Sequence, residues 1–514
     1  MSKVHQLFPV PPVVGERPPT SSLPPRFLTP AFPAFFWHLE MTSTAFASPS
    51  QIRARFSRAL SHMYRAEVPQ YGTLIDLVAE INADVSQSRA GGDAGITTRE
   101  SRIEVERHSA IRVGTPAELA MIRRLFAVMA MFPVGYYDLA VAGVPVHSTA
   151  FRPIDAAGLA ENPFRVFTSL LRLDLIKDAD LRGAAASVLS KRSIFTPRCV
   201  AMIERSEQQG GLTPDDAEQL IAEALETFRW HGKSTVSAKL YQDLRKAHPL
   251  IADIVCFPGP HINHLTPRTL DIDAAQARMP ARGIRPKAVI EGPPARDCPI
   301  LLRQTSFMAL SEPITFIQET DPGETGTHTA RFGEIEQRGV ALTPDGRRLY
   351  DQILADVRAT IEPAGDGSNA DDYRNALGHA FTAFPDTYAA MRKQGLAYFR
   401  YAAGDSRPCD AIPGADGDVE ALVAAGVLKA EPITYEDFLP VSAAGIFQSN
   451  LGTDGRDAIK ASPNRAAFEE ALGATVGDEF ALYAAEQQQS LTNALAALGI
   501  AQCQDALISV GLSD

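Results

Sequence analysis

Three short segments of this 514-residue chain carry residue types that can do chemistry. The first is Glu106-Arg107-His108-Ser109-Ala110-Ile111-Arg112. His108 and Arg112 share a face whether the segment is a strand or a helix. That face offers an imidazole for a metal and a guanidinium that grips a carboxylate in a bidentate fork. The second is Gly259-Pro260-His261-Ile262-Asn263-His264-Leu265-Thr266. In extended chain a spacing of three turns its histidines to opposite faces. His264, entering a new element, is the expected ligand, and His261 a supporting or structural group. The third is Arg331-Phe332-Gly333-Glu334-Ile335-Glu336-Gln337-Arg338-Gly339. As a strand it sets Phe332, Glu334, Glu336 and Arg338 on one face. Two buried carboxylates there need a counter-charge, which a metal would supply. The alternative is a solvent-facing strand with weak surface pairs.

Two histidines and one carboxylate from separate segments match the facial triad that leaves positions open on non-haem Fe(II). The same donors suit Zn(II) or Mn(II), so the ligand types alone do not choose the metal. His147, in Val146-His147-Ser148-Thr149, is read either as a group orienting a ligand or as a buried structural histidine. Arg268 and Arg338 are weaker candidates for pairing with a charged substrate. No Gly-x-Ser-x-Gly elbow, GxGxxG or Walker-type loop occurs, so serine hydrolysis and a nucleotide cofactor are not indicated.

The elements that must position these residues alternate between helical and extended patterns. Ile52, Phe56, Leu60 and Met63 predict a helix capped at Ser50 and ended by Pro69, and Leu74, Ile75, Val78 and Ile81 predict a second. Gln87–Asp93 reads as a loop. Glu104–Val113 is expected to be extended. Thr115-Pro116-Ala117-Glu118 is a capping box that starts the next helix. Val134–Ala142 and Val144–Phe151 are expected strands joined at Gly143, Phe164–Phe228 a helical region, and Ile251–Phe257 a strand. Ile300–Gln304, Ile314–Gln318 and His328–Leu342 are further strands, and Thr343-Pro344 opens a mainly helical remainder. The mixture predicts an α+β protein with a curved sheet and helical layers.

Composition bounds the rest. The net charge is -12, with 49 Lys plus Arg against 61 Asp plus Glu, which argues against a broad nucleic-acid surface. Five scattered cysteines without a CxxC pair fit a reduced cytoplasm better than a disulfide framework. No apolar run reaches membrane-span length. Residues 1–40 hold nine of the 37 prolines and are expected to be a leader outside the fold, with Met41 the expected start. Four regions are expected: this leader (1–40), an N-terminal helical region (41–95), a metal-binding core with a helical insertion (96–350), and a mainly helical C-terminal region contributing to the site (351–514).

Glu106–Arg112, VGYYDLAVAGVPVHSTAFRP (Val134–Pro153), FPGPHINHLTPR (Phe257–Arg268), RFGEIEQRGVALT (Arg331–Thr343) and LPVSAAGIF (Leu439–Phe447) resemble the 2-oxoadipate dioxygenase/decarboxylase family, also called hydroxyglutarate synthase. The resemblance runs from about Phe56 into the C-terminal region and implies a vicinal-oxygen-chelate fold, in which βαβββ units cup a metal. It implies Fe(II)- and O2-dependent conversion of 2-oxoadipate to 2-hydroxyglutarate and CO2 in lysine breakdown, with a 2-oxo diacid and O2 as partners and no nucleic acid or membrane. It also implies His108, His264 and Glu334 as metal ligands, with Glu336 the fallback two residues on, and Arg112, Val441 and Ser442 as substrate contacts. A 2-oxo acid could chelate the metal through its C1 carboxylate and C2 carbonyl and leave one position for O2. The rival readings are a metal-dependent isomerase or hydrolase of the same superfamily and a non-catalytic, metal-stabilised protein.

Overall fold

Five of the helices begin with the same two-residue device: a hydroxyl side chain followed by proline. Ser48, Thr115, Thr196, Thr213 and Thr343 each accept a backbone N–H of the first turn, and the next residue is a proline at the first helical position. The hydroxyl satisfies one orphan donor and proline removes another. At the first helix this moves the cap from Ser50 to Ser48, because Pro49 takes the first helical position. The Thr115–Glu118 capping box forms as expected.

The computed structural model describes residues 46–89, 102–307, 310–317, 324–405, 418–439 and 463–500. The proline-rich leader, Val441 and Ser442 lie outside the described residues, as does most of the expected Gln87–Asp93 loop, whose first residues extend the second helix to Arg89. Ala45–Asp514 forms one compact unit, so the regions expected at 96–350 and 351–514 share one body. Among the described residues no helix is long and apolar enough to cross a membrane.

The strands are β1 (Arg107–Val113), β2 (Phe132–Asp138), β3 (Val146–Arg152), β4 (Arg165–Leu171), β5 (His264–Pro267), β6 (Leu302–Phe307), β7 (Glu312–Thr315), β8 (Thr325–His328), β9 (Gly333–Arg338), β10 (Phe399–Ala403) and β11 (Leu428–Pro432). The main sheet runs β2-β3-β4-β1-β5. β1 lies parallel to β4 and antiparallel to β5. Beyond β5, the Thr269 N–H donates to the Glu336 carbonyl and the Phe332 N–H to the Asn263 carbonyl, which brings the β6–β9 pair alongside. β1, the Pro116–Val128 helix, β2, β3, the short helix Ala156–Glu161 and β4 give the order β-α-β-β-α-β.

β4 overturns the expected helical stretch from Phe164. All seven of its residues are buried, so neither the polar alternation of a half-exposed strand nor a polar helix face is available to read. Val166 and Leu170 join Ile111, Val113 and Phe151 against the helices Pro49–Glu67, Pro116–Val128 and Pro214–Phe228. Phe167 and Leu171 join Ala110, Val146 and Ala150 on the other face, under Tyr435 and Phe438. The expected strand Ile251–Phe257 is instead the short helix Pro249–Val255, capped by His248 and buried from Ile251 to Val255. Its burial on all sides erased the helical period. Residues 140–142 form a single 3-10 turn between β2 and β3, and the antiparallel pair β10–β11 interrupts the helical C-terminal region.

β9 can lie close to β6 because it starts with glycine. A Cβ at Gly333 would lie 1.5 Å from a ring atom of buried Phe307, its partner across the pair. Gly333→Ala is therefore expected to displace the start of β9 and to lower unfolding stability by about 1–3 kcal/mol, read from the denaturant midpoint. A variant as stable as the parent would mean that Phe307 moves aside without cost.

Candidate metal centre and its buried charge network

Strand register brings the expected residues together. His108 faces Thr266 across β1–β5 and Ala110 faces His264, so the two histidines sit diagonally on one side of the sheet, with ring centroids 5.2 Å apart. Glu334 comes from β9. One ligand atom from each of His108, His264 and Glu334 lies within 4.8 Å of the others, and all three residues are buried. His108 Nε2 is 3.0 Å from Glu334 Oε1, and His108 Nδ1 is 2.9 Å from Glu336 Oε2.

The donor atoms pass a simple test of fit. Neither ring nitrogen of His264 or of His108 makes a hydrogen bond of normal geometry, and Glu334 Oε2 has no partner. Buried polar atoms are rarely left this way, and a metal would satisfy them. Burial, with the nearby His108 and Arg112, holds the His264 pKa well below the ordinary imidazole value. Its neutral form is the one that binds metals. Burial opposes charge on His108, but Glu336 and Glu334 outweigh it and raise its pKa. A positive charge is thus favoured between the two carboxylates, whether proton or metal.

The two glutamates are held differently. Glu334 Oε1 accepts from the Thr266 hydroxyl at 3.1 Å and from the Gln304 amide at 2.8 Å. Glu336 accepts from Arg338 Nε and a terminal guanidinium nitrogen at 2.9 and 2.8 Å. Burial alone would raise the Glu336 pKa, yet Arg338 and His108 pull it below the usual carboxylate range. Geometry therefore groups Glu334 with the histidines and sets Glu336 at the far nitrogen of His108, where a carboxylate can orient a ligating imidazole. Arg338 also donates to the carbonyls of Tyr435 and Asp437 at 2.9 Å. Arg268 pairs with buried Glu106 at 2.8 Å. Both arginines, expected as possible substrate partners, are occupied inside the protein.

Arg112 lies further along β1, on the side of His108, and one terminal guanidinium nitrogen donates to Asp253 Oδ2 at 2.7 Å. His261 falls outside the His108 trio. Its Nε2 lies 3.2 Å from Asp253 Oδ1, and its ring packs edge-on against Trp230. His147 is turned away. On β3 it faces Asp138 and Leu170, and Leu170 belongs to the opposite side of the sheet from Phe167 and Ala110. Its ring packs on Phe468, with Nδ1 3.5 Å from the Tyr136 hydroxyl, and burial with nearby Arg172 lowers its pKa to about 4. It touches neither His108 nor His264, because strand alternation sends it to the other face.

Sequence reasoning missed Asp253 and His328. Their signal was present: a single aspartate within the apolar run Leu250–Phe257 must find a partner if buried. Reading that run as a strand hid which residues it would face.

Comparison with known proteins follows from this geometry. A family model described as 2-oxoadipate dioxygenase/decarboxylase matches residues 56–450. The chain belongs to that family. A 2-oxoadipate dioxygenase/decarboxylase of Pseudomonas putida is 55% identical over 90% of this chain and 99% of its own length. One from Escherichia coli is 55% identical over 86% and 97%. The crystal structure of the Pseudomonas putida hydroxyglutarate synthase in complex with 2-oxoadipate superimposes with a TM-score of 0.81 at 54% identity, covering 88% of this chain and 99% of that one.

Within this family member the two glutamates can be told apart experimentally. Glu334→Gln is expected to abolish Fe(II) and Mn(II) binding in anaerobic titration. Glu336→Gln is expected to retain one site and weaken it roughly 10–100-fold. The reverse order would make Glu336 the ligand.

Proposed function

We propose that this chain is an Fe(II)-dependent enzyme that converts 2-oxoadipate and O2 to 2-hydroxyglutarate and CO2, a balanced reaction that uses both oxygen atoms, as a step of lysine breakdown. The observation that carries it is the buried trio His108, His264 and Glu334 with its unpartnered donor atoms, in a chain 55% identical to curated 2-oxoadipate dioxygenase/decarboxylases. The order of four strands β1 to β4 with one long helix after β1, broken only by short helical turns, supports a vicinal-oxygen-chelate fold with a curved sheet. Free Cys199, Cys256 and Cys298 suit a reducing, cytoplasmic setting.

Bound at these residues, Fe(II) would supply Lewis acidity toward a 2-oxo acid and the electrons that activate O2. The protein's part is positional. His108 and His264 present nitrogen donors from adjacent strands, Glu334 adds one oxygen donor, and Glu336 with Arg338 fixes the His108 ring. Phe438 lies edge-on to His108 at 5.1 Å and helps keep water from the reacting centre. Arg112 binds a carboxylate of the diacid, and Val441 and Ser442 add contacts from the following segment.

Purified protein reconstituted with Fe(II) should consume O2 and release CO2 in equal amounts with 2-hydroxyglutarate when given 2-oxoadipate. Metal binding with neither gas exchanged would sink this function. Arg112→Gln is expected to bind 2-oxoadipate at least tenfold more weakly in anaerobic calorimetry while holding the same amount of iron. Loss of iron instead would assign Arg112 to the metal site.

A further inference from the structure

A second cluster with the same donor types lies beside Arg112. Asp253, His261 and His328 each bring a ligand atom within 4.8 Å of the others, and all are buried. Its wiring differs from that of the first. Asp253 Oδ1 is 2.9 Å from His328 Nε2. A carboxylate only accepts, so His328 Nε2 donates to Asp253. The Tyr241 hydroxyl lies 2.9 Å from His328 Nδ1 and donates to the Thr327 carbonyl at 3.3 Å. Both nitrogens of His328 are thus used, whereas both nitrogens of His264 lack partners. Asp253 Oδ2 meets the Arg112 guanidinium, a poor neighbour for a metal cation. The His328 ring also stacks on Trp230 with an interplanar angle of 8°, which fixes its plane. Tyr241, His328, Asp253 and Arg112 thus form one hydrogen-bonded chain, while His261 Nε2, 3.2 Å from Asp253 Oδ1, makes no hydrogen bond of normal geometry.

We propose that Asp253 is a positioning residue. The chain Tyr241–His328–Asp253 sets the direction in which Arg112 presents its guanidinium to a carboxylate of the substrate, with His261 beside the Asp253 oxygen that His328 holds. This rests on the reading of Arg112 as a substrate-binding residue. A guanidinium on a long flexible stem binds bidentately only if its plane is fixed, and small errors of placement are costly in a closed site. Each link of the chain is buried and comes from a different element: Tyr241 from the Ala238–Ala247 helix, His328 from β8, Asp253 from the Pro249–Val255 helix and Arg112 from β1. Four elements therefore converge on the orientation of one side chain.

Charge and orientation predict opposite outcomes. Asp253 places a negative charge beside the arginine that must attract a dianion. If charge alone mattered, Asp253→Asn would tighten 2-oxoadipate binding. If Asp253 positions Arg112, the same change loosens it.

The test is anaerobic calorimetry of 2-oxoadipate binding to the Fe(II)-loaded enzyme for Asp253→Asn, Arg112→Gln and the double variant, with iron content measured on each. Asp253→Asn is expected to raise Kd roughly tenfold with one iron per chain retained, and to add less than about twofold in the Arg112→Gln background, because coupled residues are not additive. Should Asp253→Asn fail to fold, His328→Gln, which keeps a donor toward Asp253, is expected to raise Kd in the same direction. Tighter or unchanged binding in the variant that folds overturns the proposal, as does loss of a metal ion from Asp253→Asn. If Arg112→Gln loosens binding and Asp253→Asn does not, this inference alone fails. If Arg112→Gln binds normally, the reading of Arg112 fails and takes this inference with it.

Discussion

Two carboxylates on one face of a fully buried strand are the constraint around which this structure is arranged. Glu334 and Glu336 are both 0% exposed, and an isolated buried carboxylate costs several kcal/mol or more. The protein solves the two cases differently. Glu336 is neutralised within the chain by Arg338 and stands against one nitrogen of His108. Glu334 accepts from Thr266 and Gln304 on one oxygen, which also lies 3.0 Å from His108 Nε2, and the other oxygen has no hydrogen bond. One carboxylate is therefore committed to protein structure and the other could serve a cation. β5 contributes twice to that arrangement, through the Thr266 hydroxyl and the His264 ring, and Gly333 lets β9 approach at all.

The counter-charges extend outward from this point. Glu106 pairs with Arg165 at 2.9 Å and Arg268 at 2.8 Å. Arg102 and Arg165 also reach Glu436, Arg152 holds Asp437 through two hydrogen bonds, and Arg338 holds the carbonyls of Tyr435 and Asp437. Four buried arginines thus fasten residues 435–437, and the adjoining Phe438 lies against His108. Removing one member of such a network strands a buried charge, at a cost of about 3–5 kcal/mol. The segment that covers the metal centre is held by the same electrostatics that satisfies the centre's own acids.

Much of the centre was legible in the sequence because its chemistry lies on strands. Period-two alternation put His108 with Arg112 and Glu334 with Glu336 before any fold was known, and the pairs Thr115-Pro116, Thr213-Pro214 and Thr343-Pro344 marked three helix starts. What failed was reading burial. β4 and the Pro249–Val255 helix are buried on every side, so their polarity pattern carries no period. Losing them hid the central strand of the sheet and Asp253. For His147 the sequence leaves open a ligand's neighbour or a buried structural histidine, because only the pairing of β3 with β4 reveals which face it takes. The grouping of His108, His264 and Glu334 depends on residue type and local spacing, whereas the supporting chain depends on which distant elements meet.

The arginines make the same point in electrostatic terms. An acidic chain with a net charge of -12 can take up a dianion only through local positive charge. Most of the buried arginines around the centre are consumed by internal acids: Arg165, Arg268 and Arg338 share Glu106, Glu336 and Glu436. Arg112 also has an acid partner, but its Asp253 is turned toward two imidazoles that share the aspartate's other oxygen. By charge alone an aspartate in this place works against a diacid. Its physical advantage is directional: a carboxylate held by His328 on one oxygen can fix an arginine with the other, and a fixed guanidinium recognises geometry as well as charge.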